Sequence, residues 1–211
     1  MSIDTILFDM DGTLIDTNEL IYESFNYTLK RFGYDFTKEE IMDFNGPPLI
    51  ESFKKVNEKN FKEMVDVYRE HNHLHHDKYV KIFPNVIETL TALQDKGIKL
   101  GVVSTKMRQG VELGLSSTNI KDYFESIITF DDVHYAKPHP EPVLKGMSEL
   151  NSEPKGTLMV GDNYQDIESG KNAGVKTAAV AWSAKGVEFL RQFNPTYILE
   201  DMKDILKIIE V

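Results

Sequence analysis

Short apolar runs that end in polar or small residues constrain the fold of this chain more than any other feature. They span residues 5–8, 100–103, 126–129 and 157–160, with a fifth at 177–181 just before Trp182. Helix-like segments at 86–96, 108–115, 142–150 and 166–173 lie between and around the later runs. Continuous apolar runs of this length suit strands buried on both faces, and strands alternating with helices build parallel β-α-β units. The sequence therefore predicts an α/β fold with a parallel sheet between helices. Ligands in such sheets sit beyond the carboxyl ends of the strands, and "DMDGT", "STK" and "GDN" fall there.

Residues 18–80 interrupt the alternation. Leu20, Ile21, Phe25, Leu29 and Phe32 repeat at helical spacing, as do Phe61, Met64, Val65 and Tyr68, so the segment reads as a helical insert. The two prolines of "NGPPL", residues 45–49, require a loop within it, and Pro84 in "KIFPNV" marks the return to the sheet. The last residues, 197–211, read as a final strand and an amphipathic helix. A chain of 211 residues holds one domain with an insert or two modest domains.

Composition narrows the partners. With 41% hydrophobic and 27% charged residues the chain reads as soluble and globular, and its net charge of −10 disfavours nucleic acid and anionic membranes. No cysteine is present, which excludes disulfides and thiol chemistry. The first residues resemble a strand rather than a leader, and no apolar stretch approaches the ~20 residues of a membrane span. The expectation is a cytoplasmic protein with no membrane partner and no nucleic acid partner; its oligomeric state is not encoded in any pattern.

Asp9 and Asp11 stand two apart at the end of the first run, which puts both carboxylates on one face of an extended chain. Their repulsion must be offset by a shared proton, a basic neighbour or a bound cation. Alternatively Asp11-Gly12 forms an ordinary turn. At the other strand ends stand Ser104 and Asp162, and Lys137 lies in "AKPHPEP". Three convergent carboxylates suit a hard cation, and a lysine serves as a point charge for phosphate oxygens.

In these motifs the chain resembles the haloacid dehalogenase-like hydrolases. "DMDGT" is similar to their first motif, Ser104 in "VVSTK" to the second, Lys137 at a helix start to the third, and "GDNYQD" to the fourth. The resemblance covers essentially the whole chain. It implies a Rossmann-like three-layer core, residues 1–16 and 81–211, with a small helical cap, residues 17–80, inserted after the first strand. It further implies a Mg2+-dependent phosphohydrolase in which Asp9 is the nucleophile and Asp11 the general acid and base. Magnesium would be held by Asp9, Asp162 and the backbone carbonyl of Asp11, with Asp166 behind them. Gly12, Thr13, Ser104, Thr105, Lys106 and Lys137 would bind the phosphoryl group. A carboxylate at Asp11 favours a phosphatase or phosphomutase over a dehalogenase, because halide-transferring members carry another residue there.

Finer wording is similar to the bacterial inorganic pyrophosphatase subgroup, next to the phosphoglycolate phosphatases: "DTNELI", "NGPPL", "YREHNHLHHD" and "VAWSAKG". The partner this implies is pyrophosphate or another small phosphorylated substrate. Gly46 and Pro47 would reach the substrate from the cap or simply form a helix-helix turn, and Arg69 and His73 would face its phosphate. His71 and His75, like Asn72 and His76, are four apart and could ligate zinc, face the substrate, or form a solvated face. Lys106 and Arg108 read as ligands of a distal phosphate or as surface groups, and Trp182, Tyr22, Phe25 and Tyr27 as core. A receiver-type signalling module, which accepts phosphate on an aspartate, is the alternative of a different class. It would be nearer 120 residues and lack the insert.

Overall fold

The computed structural model describes residues 3–209. Residues 1–2 of the expected core and 210–211 of the expected last helix lie outside the described residues. Six parallel strands form one sheet: β1 (Thr5–Phe8), β4 (Lys99–Val103), β5 (Ser126–Ile128), β6 (Thr157–Gly161), β7 (Lys176–Val180) and β8 (Tyr197–Leu199), in the order β5-β4-β1-β6-β7-β8. The chain leaves β1 toward β4 and later returns to β6 on its other side. Crossovers thus diverge beyond the end of β1, and such a switch point is where open α/β sheets bind ligands.

Period-two alternation along the strands builds the two faces of the sheet. Ile6 and Phe8, Leu100 and Val102, and Leu158 and Val160 share one apolar cluster, which includes side chains of α5 (Val86–Asp95), α6 (Arg108–Ser117) and α10 (Asp204–Ile209). Leu7, Val103 and Met159 point the other way, into a cluster with α7 (Glu141–Glu149). Phe8 pairs in register with both Val102 and Val160, so the three strands end level. Asp9, Ser104 and Asp162 follow those ends.

Between β1 and β4 lies the helical insert: α1 (Asn18–Arg31), α2 (Lys38–Met42), α3 (Leu49–Val56) and α4 (Phe61–Tyr79). It has an apolar cluster of its own, in which Phe25 packs on Phe53 and Tyr68 with ring centroids 5.2 and 4.7 Å away. The break at "NGPPL" is present, although Leu49 already begins α3 behind Pro48. The insert is entered and left through a two-stranded antiparallel ribbon, β2 (Ile15–Asp16) with β3 (Lys81–Ile82), which the sequence did not announce. Two-residue strands carry too few positions for a period to register.

Three other boundaries shift for identifiable reasons. The expected helix at 166–173 begins earlier, as α8 (Tyr164–Asn172), because Asn163 and Asp166 form a reciprocal capping box. Lys137 is not at a helix start: it lies in the loop before α7, where Pro138 and Pro140 keep the preceding residues out of the helix. The run at 177–181 is realised as β7, one residue earlier, and a short helix α9 (Val187–Arg191) follows it unannounced. Among the described residues no helix is long and apolar enough to cross a membrane.

Candidate active site

The turn after β1 is closed by the carbonyl of Met10, which accepts from the amides of Thr13, Leu14 and Ile15. Gly12 in this turn has φ +83°, and a Cβ there would lie 2.3 Å from Oδ2 of Asp162. Glycine therefore meets both a backbone need and a close approach. The turn sends Asp9 and Asp11 to different partners, which resolves their repulsion with basic neighbours. Lys137 Nζ donates to Asp9 Oδ1 at 2.7 Å, and Lys106 Nζ donates to Asp11 Oδ1 at 3.0 Å.

Lys137 is buried, and its other two donors go to Asp166 Oδ1 at 2.6 Å and the carbonyl of Val103 at 2.7 Å. The second oxygen of Asp166 accepts from the amide of Asn163 at 3.0 Å. Burial pushes Asp9 up to about 7 against the opposing pull of Lys137, and burial with the charge of Asp9 holds Asp162 well above the usual carboxylate range. Lys137 itself is held above its ordinary value, because Asp166 and Asp9 outweigh the opposing effect of burial.

Asp9, Asp162 and Asp166 are buried and bring ligand oxygens within 4.8 Å of one another. Three carboxylates face one ammonium there, since Lys106 is engaged with Asp11. A divalent cation would balance this excess of negative charge, and all-oxygen donors suit Mg2+. The residues present therefore fit the metal implied by the motifs. The side chain of Asp11 stands outside this trio.

A cleft of about 760 Å³ lies over these groups. From the sheet side it is lined by Asp9, Asp11, Ser104, Thr105, Lys106, Lys137, Asp162 and Asp166, and from the insert by Gly46, Pro47, Arg69 and His73. The fold thus brings together the residues that the resemblance assigned to catalysis, metal, phosphate and cap, except two. Gly12 and Thr13 do not line the cleft; Thr13 is buried under the turn, with no hydrogen-bond partner for its hydroxyl among the described residues. Arg108 reaches the cleft wall, yet its guanidinium is held by Asp132 at 2.6 Å.

Helix α4 sorts the histidine-rich stretch by face. Arg69, Asn72, His73 and His76 follow the i, i+3, i+4, i+7 spacing and line the cleft. His71 and His75 lie on another face, with rings 4.4 Å apart and Tyr27 stacked on His71 at 4.5 Å. Burial keeps both His71 and His76 below the usual histidine value. Among the described residues no histidine belongs to a group of three or more potential metal ligands. Phe25 and Tyr68 are buried in the core of the insert and also touch the cleft, whereas Tyr27 is exposed. Asn45, Asn163 and Gln165 also line the cleft without a role having been read for them, and His76, weighed in the sequence with Asn72, lines it as well.

A buried aspartate trio with two of its members clamped by a lysine, at the switch point of a parallel sheet and beneath a helical insert, defines a phosphohydrolase-type site. The profile of the haloacid dehalogenase-like hydrolase family matches residues 6–180, and the chain belongs to that family. Among its relatives, Pyrophosphatase PpaX of Oceanobacillus iheyensis is 54% identical over 209 residues, covering 99% of this chain and 98% of the relative. Pyrophosphatase PpaX of Anoxybacillus flavithermus is 49% identical, covering 100% and 99%. In three dimensions the chain is similar to a haloacid dehalogenase-like family hydrolase of Streptococcus pneumoniae, at TM-score 0.86, 25% identity and 97% coverage of both chains. A structure from Haemophilus somnus described as a predicted phosphoglycolate phosphatase aligns at TM-score 0.86 with 26% identity, covering 99% and 98%.

Proposed function

We propose that this phosphohydrolase cleaves inorganic pyrophosphate to two phosphates, with Asp9 as the nucleophile. The observation that carries the mechanism is the lysine clamp on Asp9. Lys137 holds one oxygen of Asp9, which leaves the other to attack phosphorus in line and form an aspartyl-phosphate while the P–O bond to the leaving phosphate breaks. With Lys106 turned from Asp11 to the leaving phosphate, Asp11 enters the reaction protonated: it gives that proton to the leaving oxygen, then takes one from the water that attacks the aspartyl-phosphate and restores Asp9. Ser104, Lys137 and the main-chain amide of Thr105 hold the transferring oxygens, while the amides of Gly12 and Thr13 donate to the carbonyls of Ile15 and Met10 within the turn. Magnesium, when held by Asp9, Asp162 and the carbonyl of Asp11, supplies charge neutralisation between the approaching anions. Asp166 keeps Lys137 and the start of α8 in place behind it.

Residues 17–80 serve in this reading as a cap over a core of residues 1–16 and 81–211. Arg69, His73, Gly46 and Pro47 form the underside of the cap, and Lys106 faces the leaving phosphate. Two relatives named as pyrophosphatases, at 54% and 49% identity along their whole lengths, favour pyrophosphate over the phosphoglycolate suggested by a structure at 26%. The reaction needs no partner beyond a small phosphorylated substrate, and a cytoplasmic setting suits it.

Phosphate release from pyrophosphate, 2-phosphoglycolate and small sugar phosphates tests the reading. The expected result is a kcat/KM for pyrophosphate at least about tenfold above the others, a margin equal to about 1.4 kcal/mol of transition-state preference. EDTA abolishes release, Mg2+ restores it, and Asp9→Asn removes it for every substrate while leaving the fold intact. A higher kcat/KM for an organic ester overturns the substrate assignment, and turnover by Asp9→Asn overturns the nucleophile.

A further inference from the structure

We propose that Lys185 is a positioning residue that latches residues 42–46 of the insert onto the core, setting the roof of the cleft relative to its acidic floor. The proposal rests on the reading of the insert as a cap over the reacting groups. Lys185 lies in the loop after β7 and does not line the cleft. Its Nζ crosses to the insert and donates to the carbonyl of Met42 at 2.8 Å and to Asp43 Oδ1 at 3.2 Å. Asp43 is 83% exposed, so its ion pair is weakened by water, and the carbonyl is the stronger acceptor.

Two more core side chains take neighbouring carbonyls. Asn163 Nδ2 donates to the carbonyl of Asn45 at 3.2 Å, and Thr105 Oγ1 to that of Gly46 at 3.0 Å. Because α2 ends at Met42 and α3 begins at Leu49, these carbonyls fall at or beyond the end of a helical ladder. That of Met42 also accepts from the amide of Asn45 at 3.2 Å, so Lys185 holds a turn that is already closed, whereas those of Asn45 and Gly46 take their donors from the core. The segment is pressed close: Gly46 has φ +118°, and a Cβ there would lie 2.5 Å from Asn163 Nδ2.

All three donors neighbour the floor of the cleft. Thr105 follows Ser104, and Asn163 follows Asp162. The loop of Lys185 is tied back through Ser183, whose hydroxyl donates to the carbonyl of Asp162 at 2.6 Å and accepts from the amide of Lys185 at 3.1 Å. A shift of the latch is therefore felt at the same main chain that presents Asp162.

Lys185→Met keeps the length of the side chain and removes the ammonium, whereas Lys185→Arg keeps a cation. Loss of one charge-assisted bond should speed amide exchange at residues 43–46 about tenfold and lower kcat/KM about tenfold, measured on whichever of pyrophosphate, 2-phosphoglycolate and the sugar phosphates the parent enzyme turns over best. The Tm should stay within about 2 °C, and Lys185→Arg should recover most of both losses. Unchanged exchange at 43–46 in Lys185→Met overturns the proposal, as does faster exchange with unchanged kcat/KM. A drop in Tm with exchange accelerated throughout the sheet, or no recovery by arginine, overturns it as well. Exchange is read without substrate, so the latch can fail in an active pyrophosphatase and can stand if the preferred substrate proves to be another phosphate ester.

Discussion

At the scale of single residues, the site depends on how two ammonium groups are shared among four carboxylates. Lys106 answers Asp11, and Lys137 alone answers Asp9 and Asp166, with Asp162 close by. Lys137→Met would leave buried carboxylates without their cation, and breaking a buried pair this way costs about 3–5 kcal/mol. Urea unfolding in metal-free buffer should show that loss, and added Mg2+ should recover part of it; an unchanged midpoint would mean the carboxylates are already neutral. The aspartates, Ser104 and Lys137 were legible because each stands in a short motif next to a strand or helix signal. The pairing of Lys106 with Asp11 was not, since 95 residues separate them and only the level ends of β1 and β4 bring them together. Asn45, Asn163 and Gln165 escaped for a similar reason: their roles come from the insert meeting the core.

At the scale of elements, the end of β5 is tied to the start of α6 through Asp132. Its Oδ2 accepts from the amide and hydroxyl of Thr129 at 2.8 and 2.6 Å and from Arg108 Nη2 at 2.6 Å. Burial raises this carboxyl, but the Thr129 hydrogen bonds and the Arg108 charge outweigh that and hold it below its ordinary value. A depressed carboxylate stabilises the fold above its unfolded pKa of about 3.9 and loses that contribution as pH falls through its folded value. Asp132→Asn should therefore unfold at lower urea than the parent protein at pH 7, by about 1–2 kcal/mol, with the gap closing below about pH 4. A gap that persists undiminished in acid would assign the loss to packing. The strands of the sheet were legible because burial on both faces leaves unbroken apolar runs, as in the fully buried Thr5–Phe8. The ribbon of β2 and β3 and the five-residue α9 were not, because neither is long enough to show a period and both are held by their surroundings.

At the scale of the whole molecule, the insert and the sheet bury separate apolar clusters and share no buried member. Two covalent crossings join them, at Ile15–Asp16 and Lys81–Ile82, together with the latch at residues 42–46. In the proposed reading of residues 17–80 as a cap, these few joints are where the roof would turn as a unit against the floor to admit substrate and exclude water. Phe53 is fully buried at the centre of the insert, within 5.9 Å of the Tyr68 ring centroid. Truncation by Phe53→Ala should destabilise that cluster by about 3–5 kcal/mol. Because the loss falls on one cluster, amide protection should drop across α1, α3 and α4 while β1, β4 and β6 keep theirs. Catalysis should fall with the roof, and the floor, with Asp9, Asp162 and the carbonyl of Asp11, should still bind Mg2+ with its parent affinity, measurable by calorimetry. Equal loss of protection in β1 and in α4 would show instead that insert and sheet unfold as one unit, and the roof would then have no freedom to move separately from the floor.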